Sequence, residues 1–226
     1  MDTRQHHDDD ARRFALYQWF SSVLAQEQNR ESWAAHASAA FREELQAYAA
    51  RPGLEEGARE VLDFVESNPE GEDGSVRMAL AVDYAQLFIG PGPGHAPPFE
   101  SVYTSPEKRL YADAYADVID FLHDEDIAVA KEFKAPADHV AVELAVMAHL
   151  IERTADEADS AARETGSLRL TDRQASFLES HVLNWMPRFC DDLTTHAETG
   201  FYRGVGRMLA GFLTEERERL EAHASI

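Results

Sequence analysis

The sequence predicts an all-α protein: a single helical domain of about nine helices spanning residues 1–226, broken by one Pro/Gly-rich loop near residues 90–105. Three observations predict it. Apolar residues recur three and four apart along nearly the whole chain. No run alternates apolar and polar residues with β-branched enrichment, so strand content is expected near zero. Breakers concentrate in one segment instead of recurring every ten residues, as they would between short strands. At 226 residues and 44% hydrophobic, the chain can bury a sizeable core.

Taken in order, the first ten or so residues, including His6-His7-Asp8-Asp9-Asp10, read as a disordered terminus and not as a metal site. Leu16, Phe20, Val23 and Leu24 then form an apolar stripe. Trp33, Ala37, Phe41, Leu45 and Tyr48 form a second, read as one helix. Leu54, Ala58, Val61, Leu62 and Val65 make a third, and Val76, Leu80, Tyr84, Leu87 and Phe88 a fourth. The pattern stops at Gly90, where GPGPGHAPPFESVYTS is too rich in Pro and Gly for a helix. Ser105 as N-cap, Pro106 at the first position and Glu107 in the first turn predict a new helix, with Leu110, Ala114, Val118 and Phe121 on its buried face. A polar link runs to about Ala135, and a helix begins near Pro136 with Val140, Leu144, Met147 and Ile151 inward. Thr171 and Gln174 have capping-box spacing for a long helix bearing Phe177, His181, Trp185 and Phe189, which Pro187 should kink. A last helix follows Gly200.

The net charge of −21 repels nucleic-acid phosphates, so no nucleic-acid partner is expected. Lys108, Lys131 and Lys134 are the only lysines, while Asp, Glu and Ala abound. That balance resembles proteins of salt-accumulating organisms, haloarchaea above all, and reads as adaptation to solvent. Cys190 stands alone, which excludes an internal disulfide and suits a reducing cytoplasm. No run of apolar residues is long enough to insert stably into a membrane. Arg12-Arg13-Phe14 resembles a twin-arginine export signal, but the residues after it include Gln18, Ser21, Ser22, Gln26 and Glu27 in place of an apolar region, so the chain is expected to stay in the cytoplasm.

The segment from Gly90 to Ser105 is the first candidate for function. Pro91, Pro93, Pro97 and Pro98 stiffen it, and Phe99, Val102 and Tyr103 are apolar groups to display or bury. Composition alone favours a packed connector. The second candidate is Asp138, His139 and Glu143 at the start of a helix. His139 and Glu143 lie four apart on one face, so a metal-dependent enzyme built on them is one reading. The rest of such a site is missing: there is no HExxH, no cysteine pair and no nucleophile elbow. No catalytic residue, metal ligand or cofactor is assigned. His181, Trp185, Phe189 and Phe212 read as core, and the Asp191-Asp192 pair argues against a reactive thiol at Cys190.

Three ordered stretches carry a family resemblance. YAQLFIGPGPGHAPPFESVY (84–103), DHVAVELAVMAHL (138–150) and FLESHVLNWMPRFCDDLTTHAETGFYRGVGRMLAGFL (177–213) together resemble the TorD/DmsD redox-enzyme chaperones, relatives of the NarJ group. The resemblance implies an all-helical chaperone that binds the twin-arginine signal peptide of a molybdoenzyme catalytic subunit, of DMSO or TMAO reductase type, and delays its export until the cofactor is inserted. A NarJ-like assembly factor for nitrate reductase is the alternative. The family's binding positions fall on Tyr84, Leu87, Phe88, Pro98, Phe99, Asp138 and His139, with Glu100, Ser101 and Tyr103 also matching. Phe99 stands where some members have tryptophan, which implies a narrower pocket. Leu87, Phe88, Pro98 and Phe99 would form an apolar groove, and Asp138 and Glu143 would meet the arginine pair. No nucleotide-binding motif is found, and either a monomer or a domain-swapped dimer fits the family.

Overall fold

A computed structural model of the chain describes residues 3–69, 74–90, 94–131, 133–158 and 165–224. Pro91 and Pro93 of the stiff loop lie outside the described residues. Among those described there are eleven α-helices and no strand, only an isolated bridge between Phe99 and His139. The all-α class is as expected. The helices outnumber the sequence-based count because local chemistry divides segments that periodicity joins.

The helices are α1 (Thr3–Ala25), α2 (Arg30–His36), α3 (Ala39–Tyr48), α4 (Glu55–Ser67), α5 (Ser75–Tyr84), α6 (Glu100–Thr104), α7 (Asp113–Asp124), α8 (Val140–Ala158), α9 (Thr165–Phe177), α10 (Met186–His196) and α11 (Gly200–Ala224), with π-helical turns at Ala85–Ile89 and Leu178–Val182. The stripe from Trp33 to Tyr48 is two helices. The Ala37 N–H closes α2 on Trp33 O at 2.8 Å, and the Ser38 hydroxyl caps Phe41 N at 3.1 Å, restarting the chain as α3.

Four further expectations are corrected. α1 already begins at Thr3, where an irregular first ten residues were expected, and Asp9–Arg12 and Asp10–Arg13 pairs at 2.9 Å hold its turns. Ser105-Pro106-Glu107 makes one turn and no helix. Ser105 does cap Arg109 N at 3.1 Å, but Lys108 and Tyr111 take positive φ of 48° and 56°, so the helix waits until Asp113. Thr171 lies inside α9, and Gln174 reaches across to Leu150 O at 3.2 Å and Thr154 Oγ1 at 2.7 Å instead of capping. Pro187 falls in the first turn of α10, after a break at residues 183–185, so the run is interrupted there and restarted instead of kinked.

The chain divides into two compact units by interleaving. One comprises Met1–Ala25 with Phe99–Trp185, the other Gln26–Pro98 with Met186–Ile226. In the first, α8 is central, with α1 along one side and α9 along another. Leu16, Tyr17, Phe20, Val23 and Leu24 of α1 and Val140, Leu144, Met147 and Ile151 of α8 are buried. Glu125, after α7, ties two helices by ion pairs to Arg153 of α8 (3.0 Å) and Arg173 of α9 (2.5 Å).

In the second unit α11 packs against α4 and α10. Trp33, Phe64 and Phe201 meet edge to face at its centre. The buried Asp83 of α5 anchors the turn that leads into α11, whose first turn is capped by the Thr199 hydroxyl accepting from Tyr202 N (3.4 Å). The Asp83 carboxylate accepts from Glu198 N (3.1 Å), Thr199 N (2.7 Å) and the Thr199 hydroxyl (2.5 Å). Asp83→Ala strands these donors and is expected to cost about 2–3 kcal/mol in urea unfolding, while Asp83→Asn, which keeps one acceptor oxygen, should cost about 1. Equal losses from the two variants would refute the anchoring role.

Candidate functional site

The end of the first sequence candidate, from Phe99 to Ser105, meets the second in the first unit. After the extended Phe99 (φ −133°, ψ 127°), α6 begins at Glu100 without a side-chain cap of its own. The turn before α8 supplies one: Asp138 O accepts from Glu100 N at 2.9 Å, and Asp138 Oδ2 accepts from Ser101 N at 3.0 Å. Ser101 Oγ in turn accepts from Ala112 N at 3.3 Å. The PFESVY segment is thereby clamped along its length.

His139 is the hinge of this junction. Its Nδ1 accepts from Ala141 N at 3.1 Å, capping α8, and its ring is wedged edge-on between Phe99 (5.1 Å) and Phe133 (5.2 Å). Burial lowers its pKa to about 4, so the ring is neutral at neutral pH and free to accept.

Behind it lies a buried acid pair. Trp185 Nε1 donates to Glu143 Oε2 at 2.8 Å, and Glu143 shares a hydrogen bond with Glu100. Two carboxylates cannot bond without a proton between them. Burial first, and the Glu100 charge second, push the Glu143 pKa well above its ordinary 4.5, so Glu143 holds that proton. Glu100 also meets His181 Nδ1 at 3.0 Å and Asn184 Nδ2 at 3.4 Å, and Tyr103 lies on the Trp185 ring at 5.3 Å. α6, α8 and the segment after α9 are thus joined through one chain of buried polar contacts.

The second unit holds the remaining motif positions. Tyr84 and Phe88 meet at 4.7 Å, and both face Tyr202 at 6.0 Å. Burial raises the Tyr84 pKa to about 12. The helical run ends with the π turn Ala85–Ile89, so the carbonyls of Gln86 and Leu87 in its last turn are left without intrahelical donors. Ala96 N and His95 N donate to them, at Leu87 (2.9 Å) and Gln86 (3.3 Å), folding the loop back on the turn. Gly94 permits this, because a Cβ there would lie 2.3 Å from Leu87 O.

Comparison with known proteins decides the family. A family model described as "Nitrate reductase delta subunit" matches residues 33–191. The Chaperone protein TorD of Photobacterium profundum is 31% identical over 201 residues, covering 88% of this chain and 90% of that one. The chain belongs to the TorD/NarJ family. The Aliivibrio fischeri TorD is 28% identical and covers 89% and 91% of the two chains. A solved structure of a candidate redox enzyme maturation protein from Archaeoglobus fulgidus shares the fold with a TM-score of 0.52 at 17% identity, over 89% of this chain and 93% of that one. These TorD relatives are named chaperones, and the chain is a chaperone of their kind, not an enzyme.

In this TorD/NarJ chaperone, Phe99, Glu100, Ser101, Tyr103, Asp138, His139 and Glu143 come together in one unit, whereas Tyr84, Leu87, Phe88 and Pro98 belong to the other. Asp138 and Glu143, expected to face an arginine pair, are sealed at 0% exposure. Their carboxyls fasten α6. The metal reading of His139 and Glu143 meets the same obstacle: His139 Nδ1 faces Ala141 N, Glu143 faces Trp185, and no metal-binding set of three side chains occurs among the described residues. His181, Asn184 and Trp185 belong to the junction and were missed as such. Their one sequence signal is polar residues placed on or beside an apolar helical face.

Proposed function

We propose that this chaperone binds, in the cytoplasm, the twin-arginine signal peptide of a molybdoenzyme precursor of DMSO or TMAO reductase type and holds it for cofactor insertion before export. The supporting observation is the clamped PFESVY segment. It is bonded to the Asp138–His139 turn at both backbone and side chain, leaving Phe99 and Tyr103 half-exposed on a rigid frame. Rigidity lowers the ordering cost of binding a flexible leader. No helix among the described residues is long and apolar enough to cross a membrane. Titration calorimetry with synthetic twin-arginine leaders is expected to show saturable binding that Phe99→Ala weakens by about tenfold. No binding by any leader from the host's reductases would end this reading. The family match described as "Nitrate reductase delta subunit" favours a second client, a nitrate reductase, which a pull-down against both precursors distinguishes.

A further inference from the structure

We infer that a groove between α1, residues 126–130 with Phe133, and α8, remote in sequence from the PFESVY motif, seats the apolar stretch of the leader. The inference rests on the leader-binding reading and deepens it. The cavity is about 430 Å³, within the usual range for a ligand site, and all of its lining lies in the first unit. Ala25, Ala141 and Ala145 line it with small side chains, and Ile127, Val129 and Phe133 add larger apolar ones. Ala141, Ala145 and His149 recur every four residues of α8, about 12 Å of helix, so the groove is long enough for two turns of a bound segment.

Its frame is fixed. Ser21 Oγ donates to Ala141 O at 2.8 Å, holding α1 on α8. Ile127 N donates to Leu122 O at 2.9 Å and Phe133 N to Ala130 O at 3.0 Å, shaping the loop wall. From Phe133 a row of rings continues through His139 to Phe99, so the groove runs on into the proposed recognition motif.

Charge selects the occupant. The lining contains one carboxylate, Asp126, and no lysine or arginine. A second copy of this chain would bring −21 against −21. An apolar peptide preceded by a basic pair matches both the lining and the field, and docks as an amphipathic segment in a groove.

The test is calorimetry with a full twin-arginine leader and with the same leader cut before its apolar stretch, against the native protein and Ala145→Trp. Ala145 is solvent-exposed, so the fold should tolerate the indole while the groove fills. Ala145→Trp is expected to weaken the full leader about tenfold and leave the truncated one unchanged. Equal affinity of both proteins for the full leader overturns the groove and spares the leader-binding reading. Failure of the native protein to bind either peptide overturns both. Should Ala145→Trp not fold, Ala128→Asp on the exposed loop wall is expected to give the same selective loss. Loss of self-association without change in peptide affinity would mark the groove as a contact between copies and overturn the proposal.

Discussion

Glutamine at position 143 should leave the protein folded, whereas alanine there should cost about 3–5 kcal/mol. Both remove the ionisable group, but only alanine breaks the joint. Glutamine's oxygen can accept from Trp185 Nε1, as Oε2 does at 2.8 Å, and its amide can donate to Glu100 as the protonated acid does. Alanine leaves the indole N–H unpaired in a fully buried site and opens a cavity.

The same pair of variants exposes a pH dependence whose sign follows from the burial of three groups. Glu143 has a folded pKa well above 4.5, so the stability it contributes is complete below 4.5 and is lost as pH rises toward the folded value, by about 1.4 kcal/mol per pH unit. His36 and His139 have folded pKa values lowered from 6.5 to about 4, both by burial. Their contribution is complete above 6.5 and is lost as pH falls toward 4. Between 4.5 and 6.5 the two histidines outweigh the one acid. Relative to Glu143→Gln, the native protein should therefore lose urea stability as pH rises above 4.5, whatever the histidines contribute to both. Parallel profiles for the two proteins would mean that Glu143 is ionised in the fold.

The helices were legible because burial repeats with the helical period: Leu16, Phe20, Val23 and Leu24, read as a stripe, are all buried. Breaks were harder. Ser38 caps α3 inside what periodicity reads as a single helix, and only its N–H partner three residues on distinguishes a cap from a surface serine. The Ser105-Pro106-Glu107 start signal is chemically sound and still fails, because Lys108 and Tyr111 turn left-handed and break the helical run. At the site, the motif residues of the first unit do converge, while Asp138 and Glu143 are buried with their carboxyls on Ser101 N and Trp185 Nε1. A carboxylate pattern looks the same whether it faces a ligand or caps a neighbouring helix 37 residues away, as Asp138 does for Ser101. Trp185 reads as plain core, since the sequence carries no sign that its N–H meets an acid 42 residues earlier. The groove was hidden for a related reason: residues 126–130 and Phe133 look like part of a polar link, and their apolar members form a wall only when set beside α1 and α8.

The other large effect is expected at Gly204, where α11 crosses α4. A Cβ there would lie 2.7 Å from Val61 Cγ2, 2.8 Å from Gly57 O and 2.9 Å from Val61 N. The reciprocal Cβ on Gly57 would lie 2.5 Å from Met208 N and 2.7 Å from Gly204 O. Each glycine leaves the space that the other helix's backbone fills, and backbone cannot step aside as a side-chain tip can. Gly204→Ala is therefore expected to cost about 3 kcal/mol despite the better helix propensity of alanine, and Gly204→Leu to prevent the second unit from folding. Gly200, at the start of the same helix, provides the control. Its nearest neighbours are side-chain carbons of Glu60 and Phe64 at 3.6 Å, so Gly200→Ala should change stability by less than about 0.5 kcal/mol. A backbone crossing predicts this contrast, and helix propensity alone predicts none. The crossing also reaches the motif, because Asp83 holds the start of α11 and is followed directly by Tyr84 and the π turn bearing Leu87 and Phe88. In Gly204→Ala, urea denaturation should move the Tyr84–Phe88 signal and the global midpoint together; independent transitions would show that this turn is held by the loop contacts to Gln86 and Leu87 alone.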